Sequence, residues 1–320
     1  GKEIRVGMCA TKTGMFAGFG QGGIYGVQYA VEDINKQGGI DVGGTKMSIK
    51  LIVVDNESDP NKTATLTEAL ILNDKVQFLV NGIDPPHIRS GAATKCEQYG
   101  IPHVTGVGPY EAWMTLKGQA PKPWNHTWSI SFAIETPAPP GDYRTGKPGF
   151  TMADAYLKAL TDIASTNKKV AAFATDEPDG RPWYKSITGL MKAKGFDVYK
   201  VDREFGLVPL ETTDFSTLVK EWKDAGCESL WANCPGPIFG NMWKQAIAMG
   251  YRPKTVFATR AAVFYDDVIA WGGDLAHGVS NEMFWNPGIK NSTGIGGTTP
   301  QSLADRYVKD TKLGYSQNLG

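Results

Sequence analysis

The chain has 320 residues, 41% of them hydrophobic and 21% charged, a length that suits two domains rather than one. Lys and Arg total 33 and Asp and Glu total 33, and no run of five like charges occurs; that balance argues against a nucleic-acid partner and against adsorption to an anionic membrane. The longest apolar runs, 51–54, 78–80 and 170–174, fall far short of the roughly 18 residues of a membrane span.

Strand-like and helix-like segments alternate along the chain. Residues 4–10 read as a strand that follows Gly-Lys-Glu directly, as expected of a mature or recombinant chain whose leader has been removed. A Gly-rich loop comes next, then a helix marked by Ile24, Val27, Ala30, Val31 and Ile34 and ended by Gly38-Gly39. The β-branched stretch 47–55 is the second strand. Asp59-Pro60 caps and starts a helix that runs to about Asn73. A strand at 76–81, a helix at 87–99 stopped by Gly100, and a short strand after Pro102 follow.

The rhythm blurs at 107–148, a stretch rich in Gly, Pro and Trp, in which 128–132 reads as a strand crossing between lobes. It restarts with a helix striped by Met152, Ala155, Tyr156, Ala159, Leu160 and Ile163. Strands are then expected at 170–174, 197–201, 229–232, 255–258 and 278–284. Helices are expected at 183–194, at 215–225 and around Phe239, Met242, Trp243 and Ala246 up to Gly250. This alternation predicts an α/β fold with two parallel sheets, each covered by helices, and ligand crevices at the carboxyl ends of the strands.

Catalytic signatures are weak. Gly18-Phe19-Gly20-Gln21-Gly22-Gly23, with acidic Asp55 ending the second strand, outlines a dinucleotide fingerprint. The spacing does not fit, because seven residues (11–17) separate the strand from the first Gly. The bland alternative is a flexible loop and a helix start with close backbone approach. The four histidines do not cluster at metal-ligand spacings, and His103, at a strand start, reads as structural. No nucleotide-binding, hydrolase or zinc-protease motif occurs, so no cofactor, metal or catalytic residue is expected. Cys9, Cys96, Cys227 and Cys234 favour buried free thiols. A strand between Cys227 and Cys234 would hold them about 20 Å apart, and a disulfide needs less than about 7 Å. The sequons at Asn61, Asn125 and Asn291 carry no weight alone.

Several stretches in order resemble the type I periplasmic-binding fold, the branch typified by the leucine/isoleucine/valine-binding protein. They are Thr13-Gly14 with Ala17-Gly18-Phe19-Gly20, Asp33-Ile34-Asn35-Lys36-Gln37-Gly38-Gly39, Asp55 with Asp59-Pro60, Asp74-Lys75-Val76, Gly100-Ile101-Pro102, Asp214-Phe215 and Gln245-Ala246. The resemblance implies two Rossmann-like lobes joined by a hinge, in the manner of a Venus flytrap. Lobe one would comprise 1–128 plus 287–320 and lobe two 129–286. The family normally continues past a segment like 302–319, so a C-terminal portion expected by the resemblance is absent from the sequence.

The implied function is an extracytoplasmic, periplasmic solute-binding protein. It would be a monomer that captures an amino acid or an aromatic or organic acid between its lobes and delivers it to the permease subunits of an ABC transporter. Its membrane contact would be only peripheral. A ligand-sensing domain of a receptor or regulator is the alternative, and an NAD-dependent oxidoreductase a more distant one.

By the same resemblance, ligand contacts come from strand-end loops. Phe19 matches an aromatic of the opening loop that packs on ligand. The loop after the third strand, with Asp84 and His87, lacks the family's hydroxyl and has lost two N–H donors to Pro85 and Pro86, so it suits a carboxylate poorly. Thr105 and Val107 lie in a loop that keeps free N–H groups. In lobe two the candidates are Asp179, Arg181, Trp183, Pro235 and Arg260. Arg260 stands where amino-acid binders place an acidic residue, which tilts the reading toward an organic acid; its bland alternative is a surface ion pair with Asp266 or Asp267. Arg260→Ala and Trp183→Ala are each expected to weaken binding without unfolding the protein.

Overall fold

In the computed structural model, which describes residues 3–134, 151–290 and 292–320, the chain divides into two compact units. One comprises Gly1–Gly108, Trp113–Ser131 and Met283–Gly320; the other comprises Pro109–Ala112 and Phe132–Glu282.

The first unit opens with strand β1 (Glu3–Ala10) and helix α1 (Ala17–Lys36). After the Gly38-Gly39 stop comes an antiparallel hairpin, β2 (Ile40–Val42) and β3 (Thr45–Asp55), turned on Gly43 and Gly44 at φ +60° and +82°. Helix α2 (Pro60–Leu72) starts as its sequence predicts: the Asp59 carboxylate accepts the N–H groups of Asn61 and Lys62, and Pro60 occupies the first turn. Strand β4 (Phe78–Asn81) and helix α3 (Pro86–Tyr99) follow, and Gly100 ends α3 in the left-handed region at φ +66°. Then come β5 (His103–Pro109), α4 (Tyr110–Gln119) and β6 (Thr127–Phe132), whose last residue belongs to the second unit.

The sheet order is β2-β3-β1-β4-β5-β6, with β3, β1, β4 and β5 parallel. Met8, Cys9, Leu70, Leu79 and Ala92 are buried between strands and helices. On one face of β4–β6, Phe78, Val104, Trp128 and Ile130 are each between 45% and 61% exposed.

The second unit runs through α5 (Met152–Ile163), β7 (Lys169–Thr175), α6 (Gly180–Ala193), β8 (Asp197–Val198), β9 (Leu207–Val208) and α7 (Ser216–Asp224). It continues with β10 (Ser229–Asn233), α8 (Gly236–Ala248), β11 (Thr255–Thr259), α9 (Tyr265–Trp271) and β12 (Val279–Ser280). The order is β12-β11-β10-β7-β8, all parallel, with β9 on the end of β7. β7, β10 and β11 are buried along nearly their whole length, which is why they read as continuous apolar runs. Helix α10 (Pro300–Thr311) returns to the first unit, where its Tyr307 packs on Tyr25 of α1.

The α/β alternation is as expected, but several details differ from the expectation. Helix α1 begins at Ala17, inside the supposed flexible loop. The hairpin β2–β3 and helices α4 and α9 were not foreseen. The strands expected at 197–201 and 278–284 shrink to two residues each, because each meets its one neighbour over only that span. The stretch 135–150 and the Asn291 sequon lie outside the described residues.

Candidate functional site

In the first unit, the carboxyl ends of β1, β4 and β5 carry the candidate loops. Gly20 is inside α1, where a β-carbon would sit 1.9 Å from the Thr11 carbonyl oxygen. The glycines therefore let α1 pack directly on the β1 exit rather than forming a phosphate cradle. Asp55 is likewise committed: it accepts the Thr13 hydroxyl at 2.7 Å and the N–H groups of Lys12, Thr13 and Glu57 at 2.9–3.2 Å.

Asp84 is buried, and its carboxylate accepts the Thr11 N–H at 3.3 Å. Burial pushes its pKa up, against the pull of that hydrogen bonding and of the Arg89 charge. His87 is half-buried in the first turn of α3, its ring edge-on to Phe16 at 5.6 Å. Phe19, also half-buried, meets Phe16 at 6.2 Å, and its carbonyl accepts Asn318 Nδ2 at 2.7 Å.

Thr105 is buried and bonded to Ser129 at 3.0 Å. Sequence reasoning passed over Arg89. It is wholly buried, lies over the Trp113 ring at 5.3 Å, and donates to the carbonyls of Gly82 (3.3 Å), Gly106 (2.5 Å) and Val107 (3.5 Å). One guanidinium thus fixes both strand-end loops. A cation three residues after a Pro-Pro helix start was the available signal.

A groove of about 780 Å³ in this unit has Val27, Val80, Val104 and Ile130 among its walls, with Trp285 and Leu319 from the closing stretch of the chain. Thr105 and Val107 line it; Phe19, Asp84 and His87 do not.

In the second unit, the ends of β7, β10 and β11 enclose a buried ionic cluster. Arg260, 5% exposed, donates to Asp179 Oδ2 at 2.7 Å, Glu177 Oε1 at 2.7 Å and Thr175 Oγ1 at 3.0 Å. Its partners are therefore neither Asp266 nor Asp267, and it is not at the surface, which corrects the bland alternative. The strand order explains this: β7 and β11 flank β10, so the loops at their ends meet.

Glu177, unnoticed in the sequence, also accepts the N–H groups of Asp179 (2.8 Å) and Gly180 (2.9 Å) at the start of α6. Glu282, likewise missed, accepts the Arg260 N–H at 2.8 Å. Arg181 stands apart, forked onto Asp176 at 2.6 Å and paired with Glu204 at 2.9 Å. Trp183, 4% exposed, is in the core, stacked on Tyr156 at 5.8 Å. Pro235 is buried at the start of α8, its carbonyl taken by the N–H groups of Ile238 and Phe239 at 3.1 Å.

Arg260 and Asp179 are thus brought together, whereas Arg181 is bonded to Asp176 and Glu204 and Trp183 is stacked on Tyr156. The four cysteines are buried free thiols, and among the described residues no His, Cys, Asp and Glu group has the makings of a metal site.

Residues 3–312 match the family model described as periplasmic binding protein. The chain belongs to the periplasmic binding protein family. A Leu/Ile/Val-binding protein homolog of Brucella melitensis is 25% identical over 313 residues, covering 96% of this chain and 68% of that relative. Among solved structures, the branched-chain amino acid transporter substrate-binding protein LivJ of Streptococcus pneumoniae, in complex with isoleucine, superposes with a TM-score of 0.74. It is 17% identical, with 99% of this chain and 80% of that one covered. A solute-binding protein of an ABC transporter from Rhodopseudomonas palustris, in complex with 3,4-dihydroxybenzoic acid, gives 0.69 at 19% identity, covering 99% and 76%. The α/β architecture is that of the type I periplasmic binding proteins.

Proposed function

We propose that the protein is a non-enzymatic, extracytoplasmic, monomeric receptor that captures one small organic solute and hands it to the membrane subunits of an ABC importer. The observation that carries this is the family match across 3–312. The relatives' names supply the ligand classes: Leu, Ile and Val for one, isoleucine for another, a dihydroxybenzoic acid for a third.

The charge of the second unit separates these classes. Arg260, which invited a carboxylate ligand in the sequence, already serves Glu177 and Asp179. Glu282 brings a further carboxyl group to the same turn, accepting the Arg260 N–H. Arg260, engaged by acidic side chains, is not offered to a ligand carboxylate, which favours an amino acid, as in two of the three relatives, over a plain aromatic acid. In the first unit Phe19 in the first turn of α1, His87 in the first turn of α3 and Val107 in β5 are half-buried, and we assign them ligand contacts.

The test is a thermal-shift screen of protein stripped by unfolding and refolding, against aliphatic amino acids, their deaminated acids and hydroxybenzoates. A ligand at about 100 times its dissociation constant adds about 2.7 kcal/mol, a shift of about 5–10 °C at this size. Shifts with amino acids but not with their deaminated counterparts are expected. Shifts with the acids alone overturn the assignment of ligand class.

A further inference from the structure

In the first unit, the stretches that carry β4 and β5 past their pairing meet over one buried side chain. The β4–β5 register closes at Asn81 and Thr105, so Gly82 and Gly106 are the first residues beyond it. Backbone groups there need partners from outside that ladder. Arg89, one turn into α3 and wholly buried, donates to the carbonyls of Gly82 at 3.3 Å, Gly106 at 2.5 Å and Val107 at 3.5 Å. Two glycines make room for this. A β-carbon on Gly106 would stand 2.6 Å from the Gly82 carbonyl, and one on Gly108 would stand 2.1 Å from Arg89 Nη2. The Trp113 ring backs the guanidinium at 5.3 Å.

We propose that Arg89 is a positioning residue for ligand capture: its planar fork holds both strand-end loops in one arrangement before a ligand arrives. Val107 lies in one of these loops, and His87 stands two residues before Arg89 on the helix that carries the fork. This role rests on the ligand contacts assigned to those two residues above. Loops ordered in advance need no ordering by the ligand. Loops that sample several arrangements weaken the apparent affinity in proportion to the time spent outside the competent one.

A lysine cannot replace the fork. Its ammonium is a single point of donation on a flexible stem, whereas a guanidinium presents its N–H groups in one rigid plane. Arg89→Lys therefore keeps the positive charge felt by Asp84 and His103 and removes the simultaneous hold on two loops. Gly108→Ala reaches the same link from the other side: the arginine is kept, but the new methyl displaces its Nη2. The three atoms nearest that methyl belong to Arg89 and Pro86, not to Gly82 or Ile83. Loosening at Gly82 in this variant thus arrives through the displaced guanidinium.

Backbone amide order parameters of the ligand-free protein test the hold on the loops, whatever the ligand class. In the wild type, Gly82, Ile83 and Val107 are expected near the rigid value of about 0.85. In Arg89→Lys and in Gly108→Ala they are expected to fall together below about 0.6. Leu70→Ala, which opens a cavity where α2 packs on β1, is the control for lost stability and is expected to leave both loops rigid. Loops as rigid in Arg89→Lys as in the wild type overturn the proposal, and so does equal loosening in Leu70→Ala. If Arg89→Lys does not fold, Gly108→Ala decides in its place. Calorimetric titration with isoleucine gives the second reading. A dissociation constant raised about tenfold or more in both loop variants, and unchanged in Leu70→Ala, supports the positioning role; loosened loops with wild-type affinity overturn it. A wild type that does not bind isoleucine overturns the ligand class assigned above and leaves the loop measurement to decide the role of Arg89.

Discussion

Gly20 lies so close to the Thr11 carbonyl that a β-carbon on it would stand 1.9 Å from the oxygen. The obstacle is backbone, which cannot swing aside as a side chain would. Gly20→Ala is expected to cost about 1–3 kcal/mol in urea unfolding. Gly189, exposed in α6 with nothing within 4 Å of its virtual β-carbon, is the control. Gly189→Ala should stabilise by about 0.5–1 kcal/mol, through backbone entropy alone. Equal effects at the two positions would show that α1 does not need its glycine.

Substitution at Arg260 or Trp183 is expected to act on stability before it acts on binding, contrary to the expectation drawn from sequence. Arg260→Met strips Glu177 and Asp179 of their buried cation, a loss of about 3–5 kcal/mol. Trp183→Ala opens a cavity between Phe132 and Tyr156, again worth about 3–5 kcal/mol. Urea denaturation of each variant checks this; a wild-type midpoint for either would return that residue to the list of ligand contacts.

His103 is expected to stay neutral far into acid. It is buried between Asn81 at 2.6 Å and Thr127 at 3.1 Å. Burial, with the Arg89 charge adding to it, brings its pKa down to about 3. A free histidine titrates near about 6.5, so the unfolded chain takes up a proton that the folded chain refuses. The resulting stability is fully present above that value and is lost as pH falls toward about 3. Proton NMR of the imidazole checks it: a ring that titrates near 6 sinks the assignment, and a flat signal from pH 8 to 4.5 supports it.

Much of this was legible in the chain. The Asp59-Pro60 start of α2 and the Gly100 stop of α3 were read correctly, because caps depend on residues a few positions apart. The glycines at 18–23 were read as a flexible loop and a helix start with close backbone approach, and only the second half of that reading holds, because a glycine needed for conformational freedom and one needed for close approach look the same in a sequence. Only the Thr11 carbonyl distinguishes them.

The sequence by itself determined the α/β alternation, the buried parallel strands and the neutral charge balance, since periodicity, propensity and composition are local properties or sums. Which charges meet was decided by tertiary structure. Arg260 finds Glu177 and Asp179, 83 and 81 residues upstream, and Glu282, 22 residues downstream. Those encounters follow from strand order, with β7, β10 and β11 side by side and β12 at the edge. That order is set by long-range packing between whole elements, and no short-range pattern encodes it.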